Sequence, residues 1–178
     1  MGGSEATTAL QLLAQQQVAA IRLLDQQAQE LLHTLLTLFH TLPESPYLLS
    51  IEGLKAPSAL GVVAYIGDLT HYHAGSALIK LAGTQPTPNT SGRKTFSATP
   101  FSHQGRSGLR TVVYFITLRL IRQNEALHHH YVRLTTRPSH PLSKMQAVGA
   151  CMNKFLWYVW HVAKHREVYD PHRWRTLT

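Results

Sequence analysis

The chain has 178 residues, with 17 Lys or Arg against 9 Asp or Glu, twelve His and one Cys; this length can bury a core and suggests one domain with an appendage. The lone Cys151 excludes a disulfide framework and points to a reducing, cytoplasmic compartment. The most apolar run, Val112 to Ile121, is too short to span a bilayer and contains Arg119, and the N-terminus lacks a basic start and a cleavage motif, so neither membrane association nor secretion is expected.

Charge is segregated along the chain. Up to Ser50 the only base is Arg22, against Glu5, Asp25, Glu30 and Glu44, whereas the remainder carries sixteen Lys/Arg against five acids, a net +11. Such a block implies a polyanionic partner, of which nucleic acid is the commonest. An anionic membrane fits less well, because the bases are spread over several segments instead of lying along one amphipathic helix.

Residues 1–8 are expected to be disordered. Residues 9–42 lack Gly and Pro and repeat in alternating steps of four and three: Leu10, Ala14, Gln17, Ile21, Leu24, Ala28, Leu31, Leu35, Leu38, Leu42. That heptad seam predicts a coiled-coil helix and a homo-oligomer through residues 10–42, with Gln17 as its one polar position. A long helix packed on its own domain is the competing reading. Thr41 to Pro46 ends the helix and serves as a hinge.

Residues 47–68 read as two helices joined by a tight turn at Gly53, the second starting near Pro57 and ending at Gly67. A turn of this kind presents backbone N–H groups as a nest for a phosphate oxygen, Gly53 lets a DNA backbone approach, and Lys55 adds charge at the tip. The pattern is that of a helix-hairpin-helix, which grips backbone without reading bases. Two core helices joined by a glycine turn remain the alternative.

Ser76 to Ala82 predicts a short helix closed by Gly83, and residues 84–105 a long loop rich in Pro, Thr, Ser and Gly. The helical end, 107–165, divides into Ser107 to Gln123, a helix capped by Asn124, and a helix capped by Ser143. Tyr169 to Trp174 reads as irregular. No strong strand pattern occurs, so the expected fold class is all-α: a long N-terminal coiled-coil helix, then a hairpin-containing helical domain with a long loop.

The acids of the basic part (Glu52, Asp68, Glu125, Glu167 and Asp170) are scattered, whereas two-metal catalysis needs convergent carboxylates. His128, His129 and His130 are consecutive on a helix and cannot all face one ion. No metal site or cofactor is therefore expected in this chain. A loop serine remains as a candidate nucleophile: Ser91 is followed by Gly92, Arg93 and Lys94, cations suited to holding a phosphodiester. Ser97, Ser102 and Ser107 offer the same hydroxyl.

Together, Leu48 to Trp174 resembles the C-terminal half of the DEDD-type insertion-sequence transposases, the family of the pilin-gene invertases and bridge-RNA-guided serine recombinases. The pieces occur in family order: Ser50-Ile51-Glu52-Gly53-Leu54 to Ile66-Gly67-Asp68; Leu81-Ala82-Gly83-Thr84-Gln85-Pro86 with Ser91-Gly92-Arg93-Lys94; and Phe101 to Arg106 with Leu109-Arg110. Arg122-Gln123-Asn124, Tyr131-x-Arg133-Leu134, Ala150-Cys151-Met152-x-Lys154 and Tyr169-Asp170-Pro171 complete the series. The resemblance implies a C-terminal transposase domain over 47–174 and Ser91 as the catalytic serine forming a covalent link to DNA. The residues themselves give the expected DNA contacts: Gly53 and Lys55 at the hairpin turn, Gly92, Arg93 and Lys94 beside Ser91, and the nearby cations Arg106 and Arg110. The resemblance also admits a guide RNA as partner.

Glu52, Lys55 and His103 depart from the family's usual Pro, Gly and Lys. The family's acid-bearing, magnesium-binding N-terminal domain has no counterpart in these residues, so a truncated transposase, inactive alone, is expected. Two other readings stay open: a non-catalytic, coiled-coil-dimerised DNA-binding regulator, and a plain helical interaction protein.

Overall fold

The computed structural model describes residues 2–87, 90–91, 94–95 and 101–176, with side chains over 7–87 and 101–173. Among them the fold class is all-α, as the pattern predicts: eight helices and a 3-10 turn, with strand confined to Thr90–Ser91 paired with Lys94–Thr95. Contacts divide the chain into two units, Met1–Phe39 and His40–Thr178. None of the described helices is long and apolar enough to cross a membrane.

The first unit is made by helix α1 (Gly2–Thr41). Its own support is local: Gln26 donates to Glu30 at 2.9 Å, Gln29 to Asp25 at 3.0 Å, and Thr34 and Thr37 to carbonyls one turn back. Bonds of this kind contribute only about 0.2–0.5 kcal/mol each. The apolar side chains Leu10, Ile21, Leu24, Leu31 and Leu38 stand 58–66% exposed.

The second unit is organised around α7 (Lys144–His165), which is buried on most of its circumference: Ala147, Cys151, Phe155, Leu156, Tyr158, Val159 and Val162 are all inaccessible. Against it pack α2 (Ser45–Leu49), α4 (Gly75–Ala82), α5 (Ser107–Gln123), α6 (Glu125–Thr136) and the 3-10 turn Leu69–His71, while α3 (Ala56–Ile66) lies on α5. A helix buried all round belongs at the centre of its unit. Phe155→Ala should therefore cost about 3–5 kcal/mol, read as a lowered denaturant midpoint; a change below about 1 kcal/mol would show that α7 is not the hub.

Local chemistry fixes the helix ends. Asn124 Oδ1 accepts from Leu127 N–H at 3.0 Å to cap α6, and Ser143 with Gln146 forms a reciprocal capping box at the start of α7. Gly83, at φ +67°, closes α4, with Thr84 N–H reaching back to Ile79 O.

Three expectations need correction. Helix α1 starts at Gly2, so residues 2–8 prolong the helix instead of being disordered: after Gly3 they hold no Gly or Pro that would stop it. The first helix of the 47–68 pair begins at Ser45, so Ser45-Pro46 opens a helix instead of prolonging the hinge. The tail is not irregular: Pro171–Thr176 forms α8, with Asp170 Oδ1 accepting from His172 N–H at 2.9 Å. An Asp followed by Pro at the first helical position is a start signal, and it overrides the tail's mixed composition.

Candidate functional site

The turn between α2 and α3 is held from beneath. Leu48, Ile51 and Leu54 point into the core, which leaves Glu52 and Lys55 exposed at the tip. Gly53 sits at φ +82°, and a Cβ there would stand 3.0 Å from both Leu120 Cδ2 and Gln123 Cβ of α5, so the turn needs glycine for its torsion and for this approach.

The carbonyls of the turn are gripped by distant residues. Asn124 Nδ2 donates to Glu52 O at 3.2 Å, and Arg119 donates to Gly53 O at 3.4 Å and to Ser58 Oγ at 3.1 Å. Tyr169 adds a strap from the tail: its N–H donates to Ser50 Oγ at 2.8 Å and its hydroxyl to Asn124 Oδ1 at 3.0 Å. The backbone N–H groups of Glu52, Gly53, Lys55 and Ala56 have no acceptor among the described residues. Open N–H groups are donors of the kind a phosphate oxygen uses, here in two pairs separated by Leu54, whose N–H donates to Ile51 O at 2.9 Å.

The supporting residues Arg119, Asn124 and Tyr169 lie 66, 72 and 119 positions from their hairpin partners. In the sequence Arg119 registers only as an interruption in an apolar run, and no local spacing marks the other two as hairpin braces.

Segment 84–105 has a built stem. Pro86 bridges Phe101; Ser102 N–H donates to Gln85 O at 2.9 Å, His103 N–H to Gly83 O at 3.2 Å and Arg106 N–H to Leu81 O at 2.7 Å. Asn153 of α7 donates to Thr84 O at 3.2 Å, and the Phe101 ring lies where a side chain on Gly149 would go. Higher up, Ser91 pairs with Lys94 across a short antiparallel hairpin. Gly92 and Arg93, between them, lie outside the described residues, as do the Ser91 and Lys94 side chains.

Arg106 donates to Tyr65 O at the end of α3, and half-buried Arg110 donates to Ala82 O at 2.9 Å at the end of α4. Each guanidinium thus meets the carbonyl end of a helix, where cations are favoured. The stem has no slack: a Cβ on Gly105 would lie 2.5 Å from Leu81 O and 2.6 Å from Gly83 N. Gly105→Ala should ease opening of the stem by about 1–3 kcal/mol, so limited proteolysis within 84–105 should accelerate while the global melt changes little. Unaltered cleavage would contradict this account of the stem.

The described residues do not fit a divalent-cation site. No three of their His, Cys, Asp or Glu side chains gather around a point. The consecutive histidines diverge: His128 Nδ1 contacts Ile121 O, His129 is exposed, and His130 contacts Arg133. Cys151 is buried, and burial pushes its thiol up to about 12, which disfavours the nucleophilic thiolate.

Residues 45–132 match the family model of the Transposase IS116/IS110/IS902 family. The match covers just under half of the chain and takes in the α2–α3 hairpin, the loop with its stem, α5 and most of α6. It supports a transposase-related role, with the interaction with DNA that such a role implies. No curated protein matches the chain.

Proposed function

We propose that the chain grips the DNA backbone in insertion-sequence transposition, with the hairpin turn as its main phosphate contact and Ser91 as the nucleophile. The observation that carries the reading is the set of open N–H groups at Glu52, Gly53, Lys55 and Ala56, inside the segment that matches a transposase family. Such donors contact phosphate oxygens, so binding is insensitive to base sequence. Arg93 and Lys94 follow Ser91 in the sequence, and Arg106 and Arg110 stand at the stem, where donors beyond those given to helix carbonyls can meet phosphate.

The experiment is a fluorescence-anisotropy titration of labelled duplex at several salt concentrations. Lys55→Glu combined with Arg93→Glu should weaken binding alike on every sequence and make the log–log salt slope shallower by about 1 for each phosphate that is no longer neutralised. A loss confined to one sequence would contradict backbone recognition. An unchanged affinity would remove the hairpin and loop from the interface.

Among the described residues no group of His, Cys, Asp or Glu is gathered to hold magnesium for the chemical step. A guide RNA would meet the same phosphate-directed surface. A non-catalytic, dimeric DNA-binding regulator is the second reading, favoured by the exposed leucines of α1, and the Ser91 experiment below separates the two.

A further inference from the structure

Helix α5 turns one side to the core, where Leu109, Val113, Ile116, Thr117 and Leu120 are buried. On its outer side Phe115, Leu118, Arg119, Arg122 and Gln123 recur at i, i+3, i+4, i+7 and i+8, the spacing of a single helix face. These five side chains line one hollow of about 370 Å³, room enough for a flat ring. Phe39 and Phe155 are buried, whereas Phe115 stands 64% exposed. The Tyr114 ring lies 5.4 Å from it in a T-shaped contact, which braces the exposed ring.

No carboxylate lines this hollow. The exposed Arg122 guanidinium makes no hydrogen bond or ion pair among the described residues. Arg119 reaches across to Gly53 O and Ser58 Oγ, and Gln123 Cβ lies 3.0 Å from the position of a Cβ on Gly53, so the hollow is continuous with the hairpin turn. A second hollow shares Arg122 and Gln123 but is bordered by Glu52 and Glu125, which steers an anion to the Phe115 side of Arg122. An open aromatic ring and a leucine beside a guanidinium suit a ligand with flat apolar faces and an anionic edge. A nucleotide has both, and the net +11 after Ser50 favours a polyanion over a neutral protein surface.

We infer that this face of α5 takes an unpaired stretch of nucleic-acid strand, with a base stacked on Phe115 against Leu118 and a phosphate at Arg122. This deepens the DNA-binding reading and rests on it: the hairpin holds backbone, and the α5 face holds a strand that has left its duplex. Inside a duplex both faces of a base are covered by its neighbours, so Phe115 selects the unpaired strand. Every base has a π-face, so this selection is tolerant of sequence.

The test titrates the full chain with a labelled oligothymidine and with a labelled duplex of equal length. Phe115→Ala should weaken single-strand binding at least about fivefold, with its salt slope, the duplex affinity and the thermal melt unchanged. Arg122→Gln should instead make the single-strand slope shallower by about 0.7, the contribution of one phosphate. Phe115→Trp should keep the affinity, and its extra fluorescence over the wild type should be quenched by the oligothymidine, a signature that a merely structural ring would not give.

Single-strand affinity that survives Phe115→Ala overturns the inference. Equal losses on both probes also overturn it, since they reveal no preference for an unpaired base. Loss of self-association in Phe115→Ala, with single-strand binding intact, would mean that the face docks a second copy of the chain. A wild-type chain that binds the duplex but not the oligothymidine refutes the stacking site and leaves the hairpin reading intact. One that binds neither refutes both.

Discussion

Replacing Leu24 and Leu31 with aspartate should convert a self-associated chain into monomers. Both leucines stand at least 60% exposed on α1, within a 40-residue helix whose described side chains leave a row of leucines open to water. Burying one leucine stabilises by roughly 1.5–3 kcal/mol, so a seam from Leu10 to Leu38 should hold two or more chains together at micromolar concentration. Aspartate at two seam positions one heptad apart would place uncompensated charges in the interface, which costs more than the missing burial alone. Sedimentation velocity reads the outcome directly. A wild-type chain that sediments as a monomer would contradict the proposed coiled coil.

The other large effect concerns Ser91. In the proposed reaction its Oγ forms a bond to a backbone phosphorus while one bridging P–O bond breaks. A deoxyribose oxygen leaves, and the serine proton must pass to a base. Arg93, Lys94, Arg106 and Arg110 can hold the phosphate and stabilise developing charge, but none is a base at neutral pH. These 178 residues alone should therefore give no covalent adduct with labelled DNA on a denaturing gel, even with magnesium. Supplying an acid-bearing, ribonuclease-H-like domain in cis or in trans should restore an adduct, and Ser91→Ala should abolish it. An adduct from the chain alone would refute its inactivity, and one that survives Ser91→Ala would refute the nucleophile.

The all-α architecture was legible because its signals are local. Asn124 and Ser143 cap helices one turn away, and Gly83 closes α4 at a left-handed torsion. The tail helix was legible too, in Asp170-Pro171, but was outweighed by a short and mixed composition. Long-range choices were not legible. No spacing reveals that Arg119 holds the carbonyl of Gly53, that Tyr169 straps Ser50, or that Arg110 serves the end of α4. A long polar side chain can meet any carbonyl that the fold brings within reach, and its choice depends on packing across the whole unit.

On the proposed function, this chain holds nucleic acid by its backbone. The most direct measurement is the affinity of the wild-type chain for two duplexes of equal length and unrelated sequence, across a range of salt. Backbone binding gives similar affinities and a steep, shared decline with salt, the log–log slope near −0.9 for each phosphate neutralised. Affinity that stays constant from low to high salt would contradict it.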